Sequence, residues 1–479
     1  MSVCKRAPLA LAVSGALVIL IGCQVAPTTT TTTSNAPASV TPQQQVAQQP
    51  TSAPTVQGDM SARAVPVTLP VLDAFFADES FAGELKSRLQ LNDEQVTRLR
   101  EVARAETANL RETDQADGQQ DTTSAATARA TEKIKSVIGD EKTAQLFALV
   151  RERWATGGAA AANAPTLPAT PNNIPTDTRV VVNAPAYRMD VFKDGQLLKT
   201  YKVGIGYPEF PLPQGARKAD TIIFNPTWTP PDEPWVAASN KVKPHEKIEA
   251  GSPLNPLGAI KIPIGLPSLI HGGKSPAKLG GFASHGCVGL TTPQVQDFAR
   301  VLAELSGTQL SAEDIAAYAQ RKTETKNVQL AEAVPVELRY ETIVVEDGRL
   351  HIYRDVYDRG TNTEENLRRV LEVYGVSLDE LSAPERQQVS DALAQMAHDA
   401  TGRPAAGDGT TNDNAPAIKS DKKNDKQSAH VTRAIKGQKE IVIEIAALRG
   451  KGYPAPVNFD TGNGPPPPRP QAMQKGKRG

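Results

Sequence analysis

The apolar residues between positions 68 and 156 recur at the spacing of α-helices, which predicts an N-terminal helical module. Asn92 and Gln95 form a pair that is typical of a capped helix start. A further helix is predicted from Ile134 to Trp154, with an interruption at Gly139 and Asp140. One helical series consists of Leu85, Leu89, Val96, Leu99 and Val102. The pattern favours a helical spacer or docking module.

The period changes to that of β-strands at Thr178, after a linker at 157–177 that is rich in Ala, Asn, Pro and Thr. β-rich segments on both sides of Asp194-Gly195 predict a hairpin. Residues 178–306 are therefore predicted to form a mostly-β domain, either a sandwich or an open barrel. A helix from Pro293 to Leu305 is expected to pack alongside it.

Residues 307–400 predict an α/β extension in which strand-like segments are followed by closing helices. Residues 401–479 are rich in Gly, Asn, Lys and Pro, which predicts a disordered tail. This tail is basic, because 13 Lys or Arg stand against 5 Asp or Glu from Lys419 onward. An apolar segment from Ile441 to Leu448 is a candidate for one added strand. The whole pattern predicts a multidomain α+β protein with disordered linkers.

Composition and the N-terminal residues indicate where the protein is located rather than what it binds. The 53 basic and 53 acidic residues balance over 479 positions, so overall charge does not support nucleic-acid binding. Lys5 and Arg6 precede an apolar run from Ala7 to Ile21, and residues 1–22 are predicted to be a secretory signal peptide. That run is shorter than the roughly 20 residues that span a bilayer.

The segment Leu20-Ile21-Gly22-Cys23 resembles a bacterial lipobox, which implies cleavage before Cys23 and lipidation of that residue. Residues 23–67 are polar and are predicted to be a disordered tether. Gln24, by the same resemblance, favours the outer membrane of a Gram-negative bacterium. We therefore expect a periplasmic, lipid-anchored protein. A plain signal peptide or an uncleaved anchor is the alternative.

Signal processing singles out Cys287. Cleavage would remove Cys4, and lipidation would occupy Cys23, so Cys287 would be the remaining free thiol. A thiol attacks as the thiolate, and its ordinary pKa of about 8.5 leaves little thiolate at neutral pH. It therefore needs an imidazole and backbone dipoles nearby, and the surrounding stretch contains His271, His285 and several glycines. These residues predict a cysteine nucleophile.

The same stretch resembles the active-site motif of the L,D-transpeptidases that have a YkuD-type catalytic domain. That motif joins an upstream His-Gly to a downstream Ser/Thr-His-Gly-Cys. The chain has His271-Gly272 and Ser284-His285-Gly286-Cys287-Val288. The resemblance covers about 178–306, and this range includes matches at Phe224–Trp228 and Asn255–Gly258. Further matches with larger Gram-negative-type members are Pro335–Tyr340 and Asp355–Tyr357.

The resemblance implies an enzyme in which Cys287 attacks a carbonyl and forms a thioester. His271 would be the general base, oriented by the backbone carbonyl of Gly272. The implied substrate is the peptidoglycan stem tetrapeptide, cut between its third, diamino residue and the terminal D-Ala. Transfer to another stem gives a 3-3 cross-link, transfer to water makes a carboxypeptidase, and transfer to a lipoprotein lysine makes an anchoring enzyme. No cofactor is required.

The resemblance also implies roles for the neighbours of the nucleophile. His285 would shape the pocket or support the oxyanion, and Ser284 would support the turn. The backbone N–H groups of Gly286 and Cys287 would form the oxyanion hole.

The chain departs from the family pattern at Gly289, where many members carry Arg or Asn. A basic side chain at that position would hold a substrate carboxylate by charge-assisted hydrogen bonds. Lys261, Lys274 and Lys278 are candidates to supply the charge instead.

Two readings of other classes remain open. His271, His285 and Cys287 are residue types that also bind zinc. A catalytically inactive, wall-binding lipoprotein is the second, because a fold alone does not guarantee activity. The other histidines are predicted to be surface or structural residues: His245, His351, His398 and His430.

Overall fold

The computed structural model describes residues 66–109, 122–157, 170–230, 242–243, 246–403 and 434–463. The predicted signal peptide, Cys23 and almost all of the predicted tether lie outside these ranges. None of the helices in the described ranges is long and apolar enough to cross a membrane.

The predicted helical module is present as four helices packed around one core. These are α1 (Leu69–Phe76), α2 (Glu79–Leu89), α3 (Asp93–Asn109) and α4 (Thr123–Thr156). Asn92 and Gln95 cap α3 reciprocally, with N···O distances of 2.8 and 3.2 Å. The predicted interruption of α4 is confirmed at Gly139, whose φ of +79° is not helical. Phe81, Leu85 and Trp154 are buried in the shared core.

The mostly-β region forms most of a curled eight-stranded sheet in the order β3-β2-β1-β10-β5-β6-β7-β9, in which β10 is Lys326–Arg339. Its strands before residue 300 are β1 (Arg179–Asn183), β2 (Arg188–Lys193), β3 (Gln196–Lys202), β5 (Gly215–Phe224), β6 (Ile260–Pro263), β7 (Leu269–His271) and β9 (Val288–Gly289). Two short strands, β4 (Ile205–Gly206) and β8 (Phe282–Ser284), pair separately. The predicted hairpin is confirmed, and Asp194 and Gly195 form its turn at positive φ.

The eighth strand of this sheet comes from the predicted C-terminal extension. β10 (Lys326–Arg339) lies between β1, to which it is parallel, and β5, to which it is antiparallel. Val336 and Leu338 are buried in the core of that sheet. Two helices, α5 (Thr292–Leu305) and α6 (Ala312–Gln320), connect β9 to β10. The predicted domain and extension therefore share one sheet across position 306.

The rest of the extension is a three-stranded sheet packed against two helices. The elements are β11 (Ile343–Glu346), β12 (Arg349–Tyr353), β13 (Glu440–Glu444), α7 (Glu364–Val373) and α8 (Ala383–Met396). The prediction of a disordered tail is wrong for 434–463, because β13 pairs with β12 there. The physical reason is burial: Ile443, Ile445 and Leu448 complete the apolar core beneath α8.

The end of the predicted linker is also held in place. Asn172 is buried, and its Nδ2 donates to the carbonyl of Ile343 at 3.0 Å while its Oδ1 accepts from the N–H of Val345 at 2.8 Å. These bonds satisfy a strand edge of β11 that would otherwise lack partners. Residues 170–177 therefore follow the surface of the extension rather than acting as a spacer.

Two neighbouring positions of β13 test whether this segment is folded. Ile443 is 5% exposed and Val442 is 44% exposed. We expect Ile443→Ala to lower the free energy of unfolding by about 2–4 kcal/mol, because it leaves a cavity. Val442→Ala should cost less than about 1 kcal/mol. Chemical denaturation of the full chain measures both, and equal, negligible effects would show that β13 is not part of the folded core.

Candidate active site

The pairing of β7 with β9 brings the two motif halves together. These strands are parallel, with Ile270 beside Val288 and His271 beside Gly289. The N–H of Leu290 donates to the carbonyl of His271 at 2.9 Å and continues the pairing. His271 at the end of β7 and Cys287 just before β9 consequently line the same cavity, of about 490 Å³.

The turn before Cys287 is closed by Ser284. Its Oγ donates to the carbonyl of Cys287 at 2.5 Å and accepts from the N–H of Cys287 at 2.9 Å. Gly286 has a φ of +87°, a conformation that glycine adopts without strain. Ser268, which the motif does not include, donates from its buried Oγ to the carbonyl of Gly286 at 2.8 Å. Its position follows from the fold, since no local pattern relates it to the motif.

These bonds correct the expected oxyanion hole. The N–H of Cys287 is bonded to Ser284 in this structure and therefore is not available to an oxyanion. The N–H of Gly286 has no hydrogen-bond partner among the described residues. Gly286 is thus the backbone donor that remains for a developing negative charge.

His271 is buried, and its Nδ1 lies 2.8 Å from the carbonyl oxygen of Gly272. A carbonyl only accepts, so Nδ1 carries the proton and Nε2 is left as the proton acceptor. Burial, followed by the charge of Lys274, lowers the pKa of His271 to about 3, and hydrogen bonds to Gly272 and Leu257 oppose this change. The imidazole is therefore neutral at neutral pH, as a general base must be before it accepts a proton.

Cys287 is half-buried at the cavity surface. Burial raises the pKa of its thiol, while a backbone hydrogen bond with Leu269 and the charge of Lys274 act in the opposite direction. The resting pair is then a neutral thiol and a neutral imidazole. The neutral imidazole of His271 is therefore present as an acceptor for the thiol proton.

His285 lies apart from this proton transfer, against two aromatic rings. Its ring centroid is 5.3 Å from that of Tyr207 and 4.7 Å from that of Phe210, both edge-on. Such packing restrains the imidazole at the cavity rim. The geometry is that of a side chain that shapes the pocket.

Lys274 occupies the space beside the unusual glycine. A Cβ on Gly289 would lie 2.8 Å from Cγ of Lys274, so the lysine stem fills the place of a side chain at 289. Lys261 lines the same cavity. Lys278 is exposed and is not among the cavity residues. Of the three candidates, the structure places two at the site.

The zinc arrangement is not formed in the described residues, where no three His, Cys, Asp or Glu side chains are grouped to hold a metal ion. His351 is buried with its Nδ1 2.6 Å from Glu440 Oε1, and His398 is half-buried with its Nδ1 2.9 Å from the carbonyl of Gln395. Both lie away from the cavity. His245 and His430 fall outside the described residues.

Residues 177–323 match the family model of the L,D-transpeptidase catalytic domain, YkuD. The chain contains an L,D-transpeptidase catalytic domain. The predicted limits of this domain are 178–306. The match ends later, at residue 323, between α6 and β10.

Solved L,D-transpeptidases are similar to this catalytic domain at low sequence identity. The NMR structure of the Enterococcus faecium catalytic domain is 16% identical, with 35% of this chain and 100% of that chain covered and a TM-score of 0.23. A Mycobacterium smegmatis L,D-transpeptidase is 15% identical, with 34% and 58% covered and a TM-score of 0.20. A crystal structure of an E. faecium L,D-transpeptidase mutant is 15% identical, with a TM-score of 0.21. The similarity covers 34% of this chain and 50% of that chain, so this chain spans half the length of that protein. No curated protein matched the chain.

Lys274 lines the cavity and Lys278 does not, so the pair tests the electrostatics of the catalytic domain. Lys274→Met removes a positive charge that lowers the pKa of Cys287, so the thiol pKa should rise and less thiolate should form at a given pH. Alkylation of Cys287 by iodoacetamide should then slow several-fold, with its pH profile moved to higher pH. Lys278→Met is the control and should change neither. Peptide mass analysis follows Cys287 itself, and equal rates in both variants would remove Lys274 from this role.

Proposed function

We propose that this protein is an L,D-transpeptidase that acts on peptidoglycan stem tetrapeptides through a thioester at Cys287. The observation that carries the proposal is the shared cavity of Cys287 and His271, which lies inside the matched catalytic domain. The acyl-enzyme then passes its acyl group to the side-chain amine of another stem, giving a 3-3 cross-link.

The first half-reaction uses the neutral pair described above. Sγ of Cys287 attacks the carbonyl carbon of the third stem residue as Nε2 of His271 takes the thiol proton. The N–H of Gly286 stabilises the oxyanion. When the tetrahedral intermediate collapses, the amide C–N bond breaks, and the terminal D-Ala leaves as an amine that takes the proton from His271. The product is a thioester at Cys287.

The second half-reaction reverses these roles. The incoming amine attacks the thioester carbonyl while His271 takes one of its protons. The C–S bond then breaks, and the sulfur regains a proton from His271. Free thiol and a new amide result, so no cofactor enters the reaction. Water in place of the amine gives the carboxypeptidase reaction by the same steps.

Substrate recognition is assigned to the lysines at the cavity. Stem tetrapeptides carry carboxylates, and an ammonium group in a partly buried site attracts them more strongly than one in bulk water. Lys274 supports this role because it lies beside Gly289, where many family members have the side chain that binds a carboxylate. Lys261 is half-buried at the same cavity, and burial lowers its pKa.

Muropeptide products decide between the proposed activities. Purified full-length protein incubated with stem tetrapeptides should give 3-3 dimers, seen by mass analysis. Cys287→Ala should lower turnover by at least about 10³-fold. His271→Ala should lower it by about 10²–10⁴-fold, because the general base is lost. His398→Ala, at a half-buried histidine that does not line the cavity, is the matched control and should leave turnover unchanged.

The other outcomes of this experiment have distinct meanings. Tripeptides without dimers would identify a carboxypeptidase. Binding of muropeptides with no product and no covalent adduct on Cys287 would identify a wall-binding protein without this activity.

We further propose that the protein is exported and lipid-anchored at Cys23, in the outer membrane of a Gram-negative bacterium. Support comes from the lipobox-like segment Leu20–Cys23 and the polar segment that follows it. Metabolic labelling with palmitate should mark the unmutated protein and not Cys23→Ala. Fractionation should place the labelled protein with outer membranes. Label retained by Cys23→Ala, or absent from both proteins, would contradict lipidation at this residue.

A further inference from the structure

The cavity of the catalytic domain is partly built by residues from outside that domain. Val71 and Ala74 of α1 and Trp154 of α4 line it together with the catalytic residues. All three are apolar residues, and Phe210 and Pro211 of the catalytic domain line the same cavity. The helical module thus contributes part of the surface that surrounds Cys287.

The beginnings of two module helices are bonded to one segment of the catalytic domain. Thr68, the N-cap of α1, donates from Oγ1 to the carbonyl of Glu209 at 2.6 Å. Thr123, at the start of α4, donates from Oγ1 to the carbonyl of Pro208 at 2.9 Å. These carbonyls lie between Tyr207 and Phe210, the two residues whose rings pack on His285. The module and the pocket histidine are therefore positioned by the same four residues.

The end of α4 is held by a buried cation. Arg217 of β5 donates to the carbonyl of Trp154 and, at 3.0 Å, to the carbonyl of Gly265. A guanidinium suits a helix C-terminus, where the last carbonyls lack helical partners and carry partial negative charge. The N–H of Leu266 also donates to the carbonyl of Gly157 at 3.1 Å. These contacts fix Trp154 against the sheet that carries the active site.

We infer that α1 and the end of α4 form a wall of the acyl-donor site and that Ala74 is a specificity-determining position in it. The inference rests on the proposed function, because the donor is the molecule that must reach Cys287 in this cavity. The cavity is lined both by the apolar residues of the module and by Lys261 and Lys274. A short peptide with methyl side chains and carboxylates, such as a stem tetrapeptide, matches that combination.

Ala74 and Ala77 provide a matched pair of positions for the test. Ala74 is half-buried at the cavity, whereas Ala77, at the end of α1, is exposed and outside the lining. Ala74→Phe should fill part of the donor site and lower kcat/KM for acylation by a stem tetrapeptide by at least about tenfold. Ala77→Phe should leave it unchanged. Melting temperatures within a few degrees of the unmutated protein would show that both variants are folded.

Acylation and aminolysis are measured separately, by the appearance of the thioester mass and by its decay with added amine. A loss confined to acylation in Ala74→Phe supports the donor wall. A loss confined to aminolysis would place the acceptor there and overturn the inference. Equal behaviour of Ala74→Phe and Ala77→Phe in both steps would also overturn it.

A second measurement tests the wall without using the proposed substrate. Cys287 is alkylated with iodoacetamide and with a bulky aromatic maleimide, and the ratio of the two rates is compared between variants. If the unmutated protein does not react with stem peptides, the proposed function fails. The ratio of the two alkylation rates then shows whether Ala74 lies in a wall of the cavity around Cys287. A maleimide-to-iodoacetamide ratio that falls about tenfold in Ala74→Phe alone supports a wall at Ala74. An unchanged ratio overturns it.

Discussion

The parallel pairing of β7 with β9 is the constraint on which the active site depends. Because His271 ends one strand and Cys287 immediately precedes the other, the backbone bonds between these strands set where both side chains lie. The bonds between Ser284 and Cys287 then hold the backbone of Cys287, and Gly272 fixes the tautomer of His271. A catalytic pair mounted on paired strands is held more firmly than one on mobile loops.

Burial sets the chemistry of that pair. It lowers the pKa of His271 and raises that of Cys287, so it opposes a resting thiolate-imidazolium pair. Lys274 lowers both values: its charge favours the thiolate at Cys287 and disfavours the imidazolium at His271. A single lysine therefore lowers the pKa of both Cys287 and His271. The same side chain also fills the space beside Gly289.

The helical module depends on the catalytic sheet for its position through Arg217. A buried guanidinium is costly to desolvate, and it is stable here because carbonyls of α4 and of the loop after β6 accept its hydrogen bonds. In return, the module supplies Trp154, Val71 and Ala74 to the cavity. The four helices are thus integrated with the site rather than tethered at a distance from it.

The sequence by itself determined the local elements and the chemistry. Helical spacing located α2, α3, the part of α4 from Ile134 to Trp154 and the break at Gly139, the Asp194-Gly195 turn located the first hairpin, and the motif identified His271, Ser284 and Cys287. These features depend on neighbouring residues, which a linear pattern records. The tertiary structure alone decided that β10 and β13 complete the two sheets, that Ser268 bonds to Gly286, that Lys274 covers Gly289, and that Ala74 faces the cavity. Each of these contacts joins segments far apart along the chain, and their partners are chosen by burial and hydrogen-bond satisfaction in the folded state, which no local spacing encodes.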